Sequence, residues 1–159
     1  MQNRYELKLS PYLSEAITDQ NRIVEAAKNG LDSIEFDGFV GMGLSGSIIA
    51  PLLAFILDKR FAIVRKEDRA RSHSATPHGI ESGLREGDRW LFCDDFISTG
   101  QTRKTVIERI REHHVGAVEY VGDYLYAAGG YTTSYLDGED FRDGRDEFVR
   151  NDDGSRGEL

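Results

Sequence analysis

Residues 90–105 read WLFCDDFISTGQTRKT. Four apolar side chains, Trp90 to Cys93, run into two adjacent carboxylates, Asp94 and Asp95. After Phe96 and Ile97 the chain turns small, polar and glycine-bearing. A short apolar run bounded by turn residues has the form of a buried strand, and carboxylates left unpaired inside a core are costly. The two acids therefore belong at a strand end. Ser98-Thr99-Gly100-Gln101-Thr102 then opens a helix expected from about Gln101 to His113, with Val106, Ile107 and Ile110 along one face. Such a stretch offers carboxylates to hydroxyl groups, and backbone amides with side-chain hydroxyls to a phosphate. The plainer alternative is an acidic strand end followed by a helix cap.

Working outward, NRIVEAAKN reads as a helix capped by Thr18 or Asp19 and ended by Gly30. FDGFVG, from Phe36 to Gly41, is a short strand candidate. Gly43 to Gly46 reads as a glycine-rich turn, and SIIAPLLAFILD as a buried helix with Pro51 near its first turn. RFAIVRKE, from Arg60 to Glu67, is the next strand, RWLFCDD the third and VGAVEYVGDYLY the fourth. The segment between Asp68 and Asp88 has no sustained periodicity, and a connection of that length is more often functional than idle. Strands alternating with helices predict an α/β fold, an open and mostly parallel sheet flanked by helices, with a long flexible loop. In such sheets ligands collect beyond the carboxyl ends of the strands. Two features fall there: the acid-led run Asp94 to Thr102, and Gly41-Met42-Gly43-Leu44-Ser45-Gly46. The second has GxGxxG spacing with Glu67 some way behind it, so a dinucleotide-binding reading and a simple tight turn both stand open for it.

Taken together, these residues resemble the type I phosphoribosyltransferase family over about Phe36 to Tyr126. In that family two adjacent acids bind the ribose hydroxyls of phosphoribosyl pyrophosphate, and the following TG-containing loop binds its 5-phosphate. The resemblance thus implies sugar and magnesium contacts for Asp94 and Asp95, the latter through water. It implies 5-phosphate contacts for Ile97, Ser98, Thr99, Gly100, Gln101 and Thr102. It further implies pyrophosphate contacts through the amides of Met42, Gly43, Leu44, Ser45 and Gly46, and through Arg65 and Lys66. A closing catalytic loop after the second strand is implied as well, carrying Arg69, Arg71 and His73. The expected activity is phosphoribosyl transfer to a free nucleobase with release of pyrophosphate. The absence of a lysine after Lys104 argues against 6-oxopurines, and Val64-Arg65-Lys66-Glu67 is similar to orotate-type members, so orotate stands ahead of adenine. Relatives of such enzymes also act as ligand-sensing regulators without turnover, which is the main alternative; a nicotinamide-binding protein would leave the double acid unexplained. Orotate- and adenine-type members are commonly dimers, and a homodimer is expected.

Composition sets the outer bounds. The chain has 159 residues, 39% hydrophobic and 30% charged, as expected for one globular domain. That domain is expected over residues 1–136, with a short N-terminal hood over 1–35. An acidic tail follows over 137–159, in which nine acids face four arginines of a chain whose net charge is −8. No basic face marks a nucleic-acid binder, no apolar run suits a membrane, and the single cysteine suits a reducing compartment. Together with an N-terminus lacking a signal-peptide core, this makes the cytoplasm the expected location. His113-His114 is read as a helix-end pair favoured by the dipole and by solvent. The tyrosines at 120, 124, 126, 131 and 135 are read as core before they are read as base-stacking.

Overall fold

The structure is a computed structural model that describes residues 11–66 and 78–136. Two helices lead in, α1 (Pro11–Thr18) and α2 (Gln20–Leu31). There follow β1 (Gly38–Met42), α3 (Gly43–Ile56), β2 (Arg60–Val64), β3 (Ile80–Ser82), β4 (Arg89–Asp94), α4 (Gln101–His113), β5 (Glu119–Leu125) and β6 (Gly130–Thr132). The six strands form one sheet in the order β3-β2-β1-β4-β5-β6. The inner four are parallel, and β3 and β6 close the edges antiparallel.

Alternation along the inner strands sorts their side chains into two layers. Phe39, Leu91, Cys93 and Tyr124 pack with Ile23, Ala27, Ile49 and Leu53 of α2 and α3. Val40, Val64, Trp90, Phe92 and Leu125 pack on the other face with Val106, Ile107 and Ile110 of α4. Strand β1, with all five residues buried, is the spine of both layers. At the amino ends of the strands, charge pairs do the fastening. Arg60 grips buried Asp88 with Nε at 2.7 Å and Nη2 at 2.5 Å, and Arg89 donates its backbone amide to Asp37 at 2.8 Å.

The expected open α/β sheet is present, and helix α4 has the predicted span. Several local readings are corrected. Gly43 to Gly46 is not a turn ahead of a helix: α3 begins at Gly43 itself, whose φ of 77° makes the corner in one residue. Pro51 consequently lies in the interior of α3 and not in its first turn, at the loss of one intrahelical bond. Helix α2 runs past Gly30 to Leu31, because Leu31 is buried in the core and packing outweighs the glycine. Strand β1 is shifted to 38–42, and β2 ends at Val64. The stretch from Asp68 to Asp88 contains strand β3, which its sequence hides because only Ile80 of its three residues is buried. Helix α1 and strand β6 were not expected. The 5-residue overlap of β1 with β2 and the 3-residue pairing of β5 with β6 show the difference in pattern length that made the one legible and the other not. The acidic tail, together with Arg69, Arg71 and His73 of the expected catalytic loop, lies outside the described residues.

Candidate functional site

Chain order and sheet order part company at one place. From β1 the chain moves to β2 on one side, while β4 lies on the other, so the helices that follow β1 and β4 leave on opposite faces and open a crevice between the two strand ends. Gly41 is paired with Cys93, which sets the start of α3 directly beside the acid pair.

The start of α3 is held by close backbone packing. A Cβ on Gly41 would lie 2.5 Å from the Gly46 carbonyl oxygen, and one on Gly46 would lie 2.8 Å from the Cys93 carbonyl oxygen. Both positions need glycine for space, and the result is a first helical turn pressed onto β1 and β4 with its free amides at the crevice. Lys66, just beyond β2, reaches over this turn: its Cε would sit 3.5 Å from a Cβ on Gly43. The same ammonium acts on Asp94. Arg65 takes a different direction, with its guanidinium 3.8 Å from Glu81 on β3.

Asp94 and Asp95 are half-buried at the end of β4. Each accepts a bond from the next amide, Asp95 N–H to Asp94 at 2.8 Å and Phe96 N–H to Asp95 at 2.7 Å, which ties both carboxylates to the chain at the end of β4. Burial, reinforced by the neighbouring charge of Asp95, pushes the Asp94 carboxyl up to about 7, while the Asp95 amide and Lys66 work in the opposite sense. Two close acids with more negative charge than their surroundings neutralise are a site that gains from a cation. Their hard oxygen donors suit magnesium, which commonly takes one or two carboxylates and completes its shell with water and substrate phosphate. Among the described residues no group of three or more His, Cys, Asp or Glu side chains could hold a metal without such help.

Beyond the acids, Ile97 is buried in the α4 layer and anchors the loop. Ser98, Thr99, Gln101 and Thr102 are exposed around it. Gly100 adopts φ 79° as the helix cap, and the loop from Asp94 to Arg103, with Phe92 at its base, encloses a cavity of about 250 Å³. Side-chain hydroxyls and the first amides of α4 converge there, the Gln101 amide donating to Thr99 Oγ1 at 3.2 Å, a donor set that suits a phosphate.

Two groups at or below this site have places that the sequence reading does not give: Tyr126 reads there only as core or base-stacking, and Arg103 is not singled out. Tyr126, the first residue after β5, crosses to Ser45 in the first turn of α3, the two hydroxyls 2.5 Å apart. Its place immediately beyond the fourth parallel strand was the signal that could have found it. Arg103, fully buried in the first turn of α4, lies 3.8 Å from Asp123 of β5 and stacks at 3.8 Å over the ring of Tyr135. Asp123 is completely buried and accepts a bond from the Tyr120 hydroxyl at 2.8 Å. Burial pushes its carboxyl up to about 7, outweighing the opposing effects of Tyr120 and Arg103. Of the other aromatic and histidine candidates, Tyr124 is core. His113 stacks on His78 with ring centres 3.6 Å apart, and His114 bonds Ser82 at 2.6 Å, so the pair at the end of α4 is engaged with β3 and its approach.

The whole arrangement is that of a type I phosphoribosyltransferase fold. The adenine phosphoribosyltransferase of Thermoanaerobacter pseudethanolicus superimposes with a TM-score of 0.52 at 22% identity, over 81% of this chain and 80% of that one. No family model matches the chain. Its sequence is 31% identical over 103 residues to the adenine phosphoribosyltransferase of Halothermothrix orenii, covering 58% of this chain and 61% of that protein. It is 35% identical over 105 residues to the hypoxanthine/guanine phosphoribosyltransferase of Methanopyrus kandleri, covering 60% and 53%. Transcriptional regulators match as well, among them GfcR 2 of Methanosarcina acetivorans, 32% identical over 80 residues, covering 49% of this chain and 39% of that protein. By sequence and fold together the chain is similar to the type I phosphoribosyltransferases, a likeness that favours the phosphate reading of the Gly41–Gly46 run over the dinucleotide-binding one. It spans little more than half the length of the curated relatives it matches.

Proposed function

We propose that this protein is a phosphoribosyltransferase, which transfers the 5-phosphoribosyl group of phosphoribosyl pyrophosphate to a nitrogenous base and releases pyrophosphate. The observation that carries this is the junction of β1 and β4, where the amide-lined start of α3, the acid pair and the hydroxyl-lined cavity before α4 stand in a row. Those three are matched in order to a pyrophosphate, a ribose and a 5-phosphate. Asp94 and Asp95 hold the ribose hydroxyls and, through water, magnesium. Thr99, Gly100, Gln101 and Thr102, with Ser98, hold the 5-phosphate, and Met42 to Gly46 with Lys66 hold the pyrophosphate. Magnesium, when bound, supplies electrostatic stabilisation of the departing negative charge. The chain itself needs no nucleophile, since the base nitrogen attacks the anomeric carbon. Arg69, Arg71 and His73 complete the reading on the leaving-group side, while Arg65 is turned toward Glu81 on β3.

Orotate stands ahead of adenine as acceptor. The support is the run Val64-Arg65-Lys66-Glu67 and the occupant of the position after β5, which is Tyr126 and not a lysine suited to a purine oxygen. The protein works as a homodimer in the cytoplasm. The second reading, a ligand-sensing regulator with the same sugar-phosphate site, is favoured by the likeness to the transcriptional regulators. Calorimetric titration with phosphoribosyl pyrophosphate and magnesium tests the site: Asp94→Asn combined with Asp95→Asn should remove most of the binding while the melting temperature holds. Unchanged affinity in that double variant refutes the assignment. A panel of orotate, uracil, adenine, hypoxanthine and guanine, scored by pyrophosphate release, separates enzyme from regulator.

A further inference from the structure

Strand β2 ends at Val64, whose ladder partners are Met42 of β1 and Ile80 of β3. Beyond it the Arg65 amide still finds the Gly79 carbonyl at 2.8 Å. The carbonyls of Arg65 and Lys66 lie past both ladders and need a donor from elsewhere. Arg109 of α4 supplies it. Its guanidinium reaches both, Nη1 to the Arg65 carbonyl at 2.5 Å and Nη2 to the Lys66 carbonyl at 3.3 Å. One turn further along the same face of α4, His113 stacks on His78 with ring centres 3.6 Å apart. The helix is thus fastened to this flank of the sheet at two successive turns.

Both bonds bear on Lys66. The Arg65 carbonyl belongs to the peptide before the Lys66 Cα and the Lys66 carbonyl to the peptide after it, so holding the two fixes both backbone dihedrals of that residue. Lysine carries its charge on a flexible four-carbon stem, and where the charge comes to rest depends on the backbone from which the stem starts. Here the stem lies over the first turn of α3, with Cε 3.5 Å from a Cβ placed on Gly43, and the ammonium acts on Asp94. Only arginine offers two donors in one planar fork, and bonds from a charged donor are the stronger kind. A lysine at 109 would bring a point charge to one carbonyl at a time.

We infer that Arg109 is a positioning residue: by gripping the carbonyls on either side of the Lys66 Cα it aims the Lys66 side chain at the start of α3 and the acid pair. This rests on the phosphoribosyltransferase reading, in which Lys66 holds pyrophosphate, and goes beyond it by assigning work to a residue of α4 which that reading leaves out. Helix α4 then serves the site at two places. Its first turn borders the cavity after the acids, and its third turn holds the root of Lys66.

The test is calorimetry on the full chain, with inorganic pyrophosphate and magnesium as one probe and ribose 5-phosphate as the other. Arg109→Met keeps an aliphatic stem and removes the fork. It is expected to weaken pyrophosphate binding about tenfold, within what a small misplacement of a binding group costs, and to leave ribose 5-phosphate within about twofold. Arg109→Lys keeps the charge without the fork and should lose about threefold; it carries the test if the methionine variant does not fold. Lys66→Ala should itself weaken pyrophosphate about tenfold, and adding Arg109→Met to it should change the affinity by less than about twofold, because nothing is left to position. A general disturbance of the fold would keep its full effect in that background. Unchanged pyrophosphate binding in Arg109→Met or in Lys66→Ala overturns the inference. So do parental affinity in Arg109→Lys, an equal loss for both probes, and losses that multiply in the double variant. An unaltered protein that binds neither probe refutes the phosphoribosyltransferase reading itself, and this inference with it.

Discussion

Replacing Gly41 by alanine measures directly how tightly the start of α3 is pressed on the sheet. Gly41 has no positive φ, so the added methyl acts only through space. It would meet Gly46 O at 2.5 Å and Gly46 C at 2.7 Å, both backbone atoms that no rotamer change can move aside. Restoring an ordinary C···O separation of about 3.3–3.6 Å requires the first turn of α3 to shift by roughly 1 Å. Overpacking of this kind costs about 1–3 kcal/mol, and because backbone must yield, the upper half of that range is expected. For a chain of this size the melting temperature should fall by about 4–10 °C. The same shift moves the amides proposed to face the pyrophosphate, and a displacement of about 1 Å at such a site is worth up to about 100-fold. Pyrophosphate affinity should therefore drop by ten- to a hundredfold. Gly30→Ala is the matched control: nothing lies within 4 Å of its Cβ and it sits in α2, so a gain of about 0.4–1 kcal/mol is expected. Thermal melts and calorimetry on both variants decide the matter. A Gly41→Ala protein that melts within 1 °C of its parent and binds pyrophosphate equally well refutes the close-packing argument.

Removal of the Asp88 carboxylate in Asp88→Ala, which strands the Arg60 fork and the Arg85 amide, should destabilise the fold by about 2–3 kcal/mol in urea denaturation. The hydrogen bonds of Arg60 hold the Asp88 carboxyl below its ordinary range, so this contribution is complete above pH 4 and is lost as the pH falls through the depressed value; an acid limb identical in the variant contradicts it. Asp123 behaves in the opposite sense. With its carboxyl raised to about 7, the native state holds a proton that the unfolded chain has released from about pH 4 upward, and stability should decline between about pH 4 and 7 by up to about 1.4 kcal/mol per unit. Asp123→Asn should flatten that decline, leaving the parallel contribution of Asp94, and an unaltered slope would show that Arg103 keeps Asp123 ionised after all.

The residues that could be read directly are those whose chemistry is local. WLFCDD announces a strand and its acidic end because an apolar run must be buried and a carboxylate must not. The amphipathic period of Val106, Ile107 and Ile110 marks α4 with correct bounds, since a helix face is written in consecutive turns. The corner at Gly43 was legible as glycine, but the turn read over Gly43–Gly46 is a single positive-φ residue at the start of α3. What lies between distant segments was not readable. Strand β3 exists because β2 has a free edge for it to pair with, and its own three residues carry too little pattern to show it. The order in which strands line up decides that β1 and β4 are neighbours, and only that adjacency turns two separate loops into one crevice. Meetings between distant positions, as between Ser45 and Tyr126, 81 residues apart, or between Arg103, Asp123 and Tyr135, depend on strand register and on which face each side chain takes. A tyrosine in a strand looks the same in sequence whether it fills the core, as Tyr124 does, or reaches over a strand end to a partner hydroxyl, as Tyr126 does. Local physical chemistry selects the elements and the reactive groups; their assembly into a site is settled by long-range packing, because each contact there is made between residues that no local preference brings together.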